Sequence, residues 1–519
     1  MVGFSYVLLR MKISMPKSVQ LFARKPVEPV SDQPLNRVMG PVQLVLIGIG
    51  CIVGAGVYVI TGPAAAEYAG PAIMLSFIMA ACACGFTALC YAELASMMPV
   101  SGASYSYAYS ALGEVFAWAL GWMLMLEFWL AGSALAVGAS GYLVSLLQDF
   151  GLYLPAWLTT ATVDAVKTGS DTAFSVTGNI NLLAVVIVAA VCSVLVRGVH
   201  QSVVVNTIMV IIKVGVLLLF VAFGFKYVDT SLWQPLIPEN EGGFRYGIEG
   251  VFRAASILFF SYLGFEAVST AALEAKNPRR DVPIGILGAL VISCLLYMAV
   301  AMVLTGLVPF RELGVADPIA RAISVIDEPV LNLVIKIGAL TGLLSVLMVN
   351  TYGHSRICFA MSRDGLIPPV FSEVSAHFKT PLKGTVIVAG LAAVAAALLP
   401  ISILADLVSI GTTFVFATVA ICVIALRSRR PDIPRLFKVP LGGVRVGKVW
   451  LGTTPVCALI CCAVMVAPVF MDIFQRASNG DVIPLIILLA YLVVGIAIYV
   501  NYGMKKSRLQ QRLAQLSES

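Results

Sequence analysis

The stretch LIGIGCIVGAGV, residues Leu46–Val57, decides how the fold is interpreted. It is apolar enough to lie in a membrane, yet four of the nine residues from 48 to 56 are glycine. Because glycine costs about 1 kcal/mol relative to alanine inside a helix, this cluster predicts a point where a helix unwinds. Close packing against another helix is the alternative, and it is sufficient for Gly48 and Gly50. The tighter run Gly54–Gly56 predicts the break itself.

The composition of the whole chain is that of a polytopic membrane protein. Of 519 residues, 60% are hydrophobic and 12% are charged, whereas soluble domains are nearer half apolar and a quarter charged. The apolar residues form runs of about 20, the length that crosses a hydrocarbon core of roughly 30 Å. We predict an all-α membrane protein with twelve transmembrane helices, at approximately residues 43–67, 72–98, 113–147, 181–197, 204–225, 250–273, 283–308, 331–361, 384–400, 402–427, 452–474 and 483–502.

The basic residues of the loops predict the orientation. With the N-terminus inside, roughly 24 Lys and Arg residues face the cytoplasm and about 7 face outward, which agrees with the excess of basic residues in cytoplasmic loops. We therefore expect a multi-pass protein of the inner (plasma) membrane with both termini in the cytoplasm. The predicted organisation is a cytoplasmic segment 1–39, a transport core 40–427, peripheral helices 11 and 12 within 428–502, and a cytoplasmic tail 503–519.

A second break is predicted in the sixth span, within FFSYLGFE, residues Phe259–Glu266. Spans 1 and 6 open two five-helix halves of opposite orientation, and matching breaks in two halves indicate an inverted repeat with the binding site between them. Where a helix begins again after a break, its first N–H groups are free to bind a carboxylate. The carbonyl groups exposed at a break can bind an ammonium. A zwitterionic α-amino acid carries both groups.

Ionisable residues inside the spans are the candidates for ion coupling. Lys213 lies seven residues, or about 10 Å, beyond Asn206, and a lysine at that depth is costly unless it faces a partner or water. It is predicted to couple transport to protons, and a permanently paired structural lysine is the alternative. Glu127 is a second candidate for proton coupling, with a vestibule or packing role as alternatives. Glu266 follows the second break and could brace it or form part of a gate.

Other functional classes lack their signatures in this sequence. The three histidines and eleven cysteines show no metal-ligand spacing, and no phosphate-binding or hydrolase motif is present. We therefore predict no enzymatic activity, no metal, no cofactor, no nucleic-acid partner and no obligatory protein partner. The expected partners are an amino acid substrate and the lipid bilayer, and a proton gradient is the expected driving force.

Seven segments carry a resemblance to a known family. They are Ile47–Val59, Tyr91–Gly102, Gly121–Phe128, Ile212–Gly215, Phe259–Ser269, Asn277–Pro283 and Ala360–Gly365. In this order the chain resembles the amino acid–polyamine–organocation superfamily, in particular its cationic amino acid transporter branch and bacterial relatives. The resemblance implies the LeuT-type fold, a 5+5 inverted repeat with broken helices 1 and 6.

The resemblance also implies roles for individual residues. The implied substrate ligands are Ile52, Val53, Gly54, Ala55, Gly56, Phe260, Ser261, Leu263 and Asn350. Lys213 would stand where other transporters hold a sodium ion, with Ser345 near it. A polar residue at position 350 and a histidine at position 354 are compatible with both cationic and neutral substrates. The prediction is a broad substrate range that includes cationic amino acids.

We therefore predict an amino acid permease that works as a proton-coupled symporter by alternating access. An amino acid/amine exchanger without net proton coupling is the first alternative, and an amino acid sensor that does not transport is the second.

Overall fold

A computed structural model describes residues 22–25, 39–98, 103–168, 171–197, 203–270, 275–326, 328–375, 377–378, 380–435 and 437–518. Within these ranges nine helices are long and apolar enough to cross a membrane, and three shorter apolar helices accompany them. The chain is therefore a mainly helical, multi-pass membrane protein, as predicted. Most of the predicted cytoplasmic segment 1–39 lies outside the described residues.

The helices and strands follow one another along the chain in this order. They are α1 (Pro41–Ile52), α2 (the run Gly56–Ile60, Thr61–Ala64 and Ala65–Ala69), α3 (Ile73–Met97), α4 (Ala103–Ala111), α5 (Glu114–Asp149), β1 (Val163–Thr168), β2 (Asp171–Val176), α6 (Leu182–Val196), α7 (Val203–Gly224), α8 (Gly247–Leu258, extended by the 3-10 turn Phe259–Tyr262), α9 (Glu266–Thr270), α10 (Pro278–Leu307), α11 (Pro318–Ile323), α12 (Pro329–Arg363), α13 (Leu382–Leu398), α14 (Ile401–Arg429), β3 (Gly443–Val446), β4 (Val449–Gly452), α15 (Thr453–Ser478), α16 (Ile483–Ile498, extended by Tyr499–Gly503 and Met504–Lys506) and α17 (Arg508–Glu518).

Two β-hairpins correct the expectation of an all-α protein. Strand β1 pairs antiparallel with β2, with Val163 opposite Val176, and β3 pairs antiparallel with β4, with Val444 opposite Leu451. Both hairpins lie between spans, and their strands are only four to six residues long. A search for membrane-length apolar runs cannot detect such short segments.

Small residues allow the helices of the bundle to approach closely. A Cβ at Gly48 in α1 would lie 2.5 Å from the Cβ of Ala289 in α10, and a Cβ at Gly285 in α10 would lie 2.7 Å from the Cβ of Leu44. Helix packing inside a bilayer depends on such close approach, because lipid is as apolar as the side chains themselves. The packing explanation for Gly48 is therefore correct.

Buried ion pairs join the helices at two levels of the bundle. The Arg253 guanidinium of α8 is fully buried and lies 2.7 Å from a carboxylate oxygen of Asp406 in α14 and 2.7 Å from one of Asp472 in α15. Towards the other end of α14, Arg427 donates to buried Glu93 of α3. Breaking such a pair would leave an uncompensated buried charge, so these contacts join α14 to its neighbours.

Candidate functional site

The first span is interrupted where its glycines predict a break. Helix α1 ends at Ile52, and Val53 has φ −71° and ψ 99°, which is extended rather than helical. Helical geometry returns at Ala55, with φ −53° and ψ −32°, so the non-helical residues are Val53 and Gly54. The break therefore lies at the N-terminal edge of the glycine run, one residue earlier than the sequence indicates.

The sixth span is interrupted as well. The 3-10 turn Phe259–Tyr262 ends at Leu263, which has φ −56° and ψ 138°, and Gly264 has φ +117°. This left-handed conformation favours glycine, because a Cβ is strained there. The N–H of Gly264 donates to a carboxylate oxygen of Glu266 at 2.9 Å, so Glu266 braces this break from the start of α9.

The two breaks are in contact with each other. A Cβ at Gly56 would lie 2.3 Å from the Cβ and 2.5 Å from the Oγ of Ser261, and a Cβ at Gly264 would lie 2.6 Å from the carbonyl carbon of Cys51. Neither position has room for a side chain. The glycines therefore serve the approach of one broken helix to the other as well as the unwinding.

Side chains donate hydrogen bonds to the carbonyl groups at the end of α1 that lack intrahelical partners. The Nζ of buried Lys213 in α7 donates to the carbonyl of Gly50, and the hydroxyl of Tyr297 in α10 donates to the carbonyl of Ile52 at 2.8 Å. An ammonium is favourable there, because the C-terminus of a helix carries partial negative charge. The same Tyr297 hydroxyl lies 3.3 Å from the carbonyl oxygen of Ser261, so it links both breaks.

The ammonium of Lys213 contacts a backbone carbonyl and not a carboxylate. No carboxylate of the described residues forms an ion pair with its ammonium. Its own carbonyl accepts the hydroxyl of Tyr58 at 2.7 Å, and a Cβ at Gly342 of α12 would lie 3.1 Å from its Cβ. Ser345 lies three residues beyond Gly342 and therefore on the same face of α12. The geometry thus brings Lys213 to the first break, next to the helix that carries Ser345.

One buried hydroxyl at the breaks, the Oγ of Ser261, has no hydrogen-bond partner among the described residues. The buried carboxyl of Glu127 in α5 faces the hydroxyl of Thr412 in α14. Helix α14 also contacts α8, because the Ser409 hydroxyl donates to the Ile257 carbonyl. Buried polar groups are nearly always paired in folded proteins, so the Ser261 hydroxyl indicates a place for a ligand or water.

Asn350 is buried but its amide is already engaged. Its Nδ2 donates to the carbonyl of Phe128 in α5 at 2.7 Å, and Gly132 provides the space for this contact. The ring of buried His354 stacks on Phe128 with centroids 6.4 Å apart. Asn350 therefore joins α12 to α5, and its place at the substrate side chain stays a prediction. The carbonyl of Phe260, another predicted ligand, accepts the N–H of Leu263 at 2.9 Å.

Sequence reasoning missed the tyrosines that organise the breaks. Tyr58, Tyr142 and Tyr297 are fully buried, and each hydroxyl donates to a backbone carbonyl of another helix. Their position within apolar spans is a signal for such a role, because the hydroxyl of a buried tyrosine usually has a hydrogen-bond partner. The partners themselves are backbone atoms, which a sequence pattern does not identify.

Comparisons with known proteins match this chain to one family and to several named transporters. The model of the amino acid permease family matches residues 39–498. The chain is 41% identical over 481 residues to the branched-chain amino acid permease BcaP of Bacillus subtilis, covering 92% of this chain and 96% of the relative. It is 41% identical over 425 residues to the methylthioribose transporter of the same organism, covering 81% and 88%. It is 36% identical over 419 residues to the vacuolar cationic amino acid transporter 4 of Arabidopsis thaliana, covering 79% and 68%.

A family match that extends from the start of α1 to the end of α16, together with relatives of this identity and coverage, confirms the resemblance. The chain belongs to the amino acid permease family of the amino acid–polyamine–organocation superfamily.

Proposed function

We propose that this amino acid permease binds a zwitterionic amino acid between the two breaks and moves it by alternating access. The observation that carries the proposal is the contact of Gly56 with Ser261. The last carbonyls of α1 are occupied by Lys213 and Tyr297, whereas the helical run that resumes at Ala55 begins with N–H groups that lack intrahelical partners. Those N–H groups suit a carboxylate, and the Ser261 hydroxyl lies beside them.

The proposed arrangement is the LeuT-type 5+5 inverted repeat with twelve spans. Nine long helices and two of the shorter ones, Leu182–Val196 and Leu382–Leu398, give eleven. The helical stretch Gly56–Met97 contains Gly70 at φ +59°, which divides it into the end of span 1 and span 2 and brings the number to twelve. The proposed core is 40–427, with peripheral helices within 428–502 and both termini in the cytoplasm of the inner membrane.

Proton coupling is proposed to act through Lys213. Its protonated amine satisfies the Gly50 carbonyl and the negative end of α1, so loss of the proton would weaken the contact between α7 and α1. A change in that contact is a means of linking protonation to the position of the first break. Glu127, whose buried carboxyl faces the Thr412 hydroxyl of α14, is the proposed second proton-carrying group.

The proposed substrate range covers both neutral and cationic amino acids. Relatives of similar identity are named for branched-chain amino acids and for cationic amino acids, and backbone recognition of a zwitterion serves both classes. The buried carboxyl of Glu127 would favour a cationic side chain when it is ionised and a neutral one when it is protonated. One site can therefore accept both classes with a preference that depends on its protonation.

Uptake by proteoliposomes tests the transport and coupling proposals together. Leucine and arginine uptake are measured under an imposed proton gradient, under a sodium gradient and without either gradient. We expect accumulation with the proton gradient alone, and we expect Lys213→Met to abolish accumulation while it retains exchange of internal for external substrate. Lys226→Met is the matched control, because Lys226 is exposed just beyond the end of α7.

The exchanger is the alternative that this experiment separates. Counterflow without accumulation in the wild type, together with no response to the proton gradient, would favour an exchanger in which Lys213 is a fixed structural cation. Accumulation driven by sodium would contradict the coupling proposal outright. Binding without flux of any kind would instead favour the sensor.

A further inference from the structure

The hairpin β3–β4, which connects α14 to α15, has two different faces. In its antiparallel register Val444 lies opposite Leu451, and Val446 lies opposite Val449. Successive side chains of a strand point to opposite faces, so these four aliphatic side chains share one face of the hairpin. Each of the four residues is between 39% and 70% exposed. A contiguous exposed apolar face of this kind marks a place of contact with another molecule or with a membrane.

The opposite face of the hairpin packs on the protein. Trp450 belongs to that face, and its backbone N–H donates to the hydroxyl of Ser428 in α14 at 2.7 Å. The guanidinium of Arg427 lies 4.2 Å from the centroid of the Trp450 ring. A Cβ at Gly443 would lie 2.8 Å from that ring, so a glycine there provides room for the indole. The hairpin is therefore seated on the end of α14 by one face, and its aliphatic face points away from this contact.

The hairpin is also fixed to the start of a membrane-spanning helix. Strand β4 ends at Gly452, and α15 begins at the next residue, Thr453. The N–H of Thr453 donates to the Gly442 carbonyl at 3.2 Å, and the hydroxyl of Thr454 donates to the Pro440 carbonyl at 2.7 Å. Helix α15 has 26 residues, or about 39 Å, which exceeds a hydrocarbon core of roughly 30 Å. Its first turn, and the hairpin joined to it, therefore lie at the level of the lipid headgroups.

The charges next to the aliphatic face are positive. Lys438, Arg445 and Lys448 are all exposed, and the sequence contains no Asp or Glu between Asp432 and Asp472. Basic residues beside a membrane span are attracted to anionic phospholipids, and each strengthens the attachment by a factor of about five. The long side chains of lysine and arginine can reach a headgroup phosphate from either face of the hairpin. The charge of this segment is therefore complementary to an anionic lipid surface.

We propose that the β3–β4 hairpin inserts its aliphatic face into an anionic phospholipid leaflet, where its three basic side chains bind lipid phosphates. Removal of aliphatic surface from water is favourable, and ammonium and guanidinium groups form charge-assisted hydrogen bonds with phosphate oxygens. Four aliphatic side chains are few for a stable protein interface, which uses about 20–30 residues on each side. Insertion into lipid requires no such matching surface. In the proposed orientation the leaflet is the cytoplasmic one.

Photo-crosslinking of the full-length chain tests the proposal. A benzophenone amino acid replaces Val446, and the purified protein is irradiated in nanodiscs made of an equal mixture of phosphatidylcholine and phosphatidylglycerol. We expect phospholipid adducts at this position, identified by mass spectrometry, with phosphatidylglycerol enriched over phosphatidylcholine. The matched control carries the same group in place of Glu239, an exposed residue in the loop between α7 and α8, and should form few adducts. Both leaflets of the nanodisc have the same composition, so the result does not depend on the orientation of the chain.

Two substitutions separate the contributions of charge and of apolar surface to the adduct at position 446. Lys448→Gln should lower the yield of the phosphatidylglycerol adduct about fivefold, whereas Lys226→Gln, which removes an exposed lysine beyond the end of α7, should not change it. Val444→Asp should lower the yield with both lipids at least about tenfold, because the valine side chain no longer leaves water. Size-exclusion chromatography and amino acid uptake check that each variant is folded.

Four results would overturn the proposal. The first is the absence of lipid adducts at position 446, and the second is an equal yield at position 239. The third is an unchanged yield in folded Val444→Asp or an unchanged enrichment of phosphatidylglycerol in Lys448→Gln. The fourth is an adduct, formed by irradiation of native membranes, that consists of another protein or a second copy of this chain, since it would assign the aliphatic face to a protein partner.

Discussion

Replacing Gly56 with alanine tests the contact between the two breaks by adding a single methyl group. The new Cβ would stand 2.3 Å from the Cβ and 2.7 Å from the Cα of Ser261. Carbon atoms in favourable contact are about 3.5–4.0 Å apart, so the helices would have to separate by more than about 1 Å. Overpacking of this kind costs about 1–3 kcal/mol.

The assay is amino acid binding to, and uptake by, the purified variant. Because the displacement falls on the proposed ligand groups, we expect loss of most uptake and at least about a tenfold weaker affinity, since 1.4 kcal/mol corresponds to a factor of ten. Gly215→Ala is the matched control, because a Cβ there meets nothing within 4 Å. The double variant Gly56→Ala with Ser261→Gly removes the atoms that clash most closely and should recover part of the function.

If folded Gly56→Ala binds and transports like Gly215→Ala, the two breaks do not meet as the structure has them. Equal loss in the single and double variants would show that the effect arises elsewhere in the first span.

Three further predictions follow from contacts of different kinds. Tyr297→Phe leaves a carbonyl of the first break unsatisfied and should cost about 1–3 kcal/mol in amino acid binding by calorimetry. Tyr246→Phe, whose buried hydroxyl donates to the Ala66 carbonyl away from the breaks, should alter stability but not affinity. Asp406→Asn breaks a buried ion pair and should lower unfolding stability by about 3–5 kcal/mol, against less than about 1 kcal/mol for exposed Glu241→Gln. Burial raises the pKa of Asp317, which directly precedes α11, from 3.8 to about 7, so the folded state holds a proton there that the unfolded state has already lost. Thermal stability should therefore fall as pH rises from 3.8 to about 7 in the wild type, and not in Asp317→Asn.

Each of these predictions has a result that would contradict it. If Tyr297→Phe binds the amino acid as tightly as the wild type, the Tyr297 hydroxyl does not contribute to the binding site. A stability change no larger in Asp406→Asn than in Glu241→Gln would mean that the Arg253 cluster is not maintained in the membrane. An unchanged pH slope in Asp317→Asn would assign the slope to another group.

The membrane spans and the two breaks could be predicted from the sequence because their signals are local. Apolar length identifies the spans, and the glycines of residues 48–56 and Gly264 mark where a helix is weak. The contact between the breaks is not local. Nothing in the sequence indicates that Gly56 lies against Ser261 or that the Tyr297 hydroxyl reaches both breaks. Those relations depend on the packing of three helices.

Two other features could not be predicted from residue type alone. Arg253 of α8 pairs with Asp406 of α14 and Asp472 of α15, which lie 153 and 219 positions further along the chain, so this pairing is visible only in the fold. Asn350 has the polarity expected of a pocket residue, yet its amide bonds the Phe128 carbonyl. A side chain's chemistry restricts its possible partners, and the neighbouring helix decides which of them it meets.

The most direct test of the central claim is an experimental structure of this permease with a bound amino acid. The account predicts the ligand carboxylate within about 2.7–3.2 Å of N–H groups of residues 54–56, and the ligand ammonium on the side of the second break. A ligand bound elsewhere in the bundle, or a first and sixth span that run as continuous helices, would contradict it.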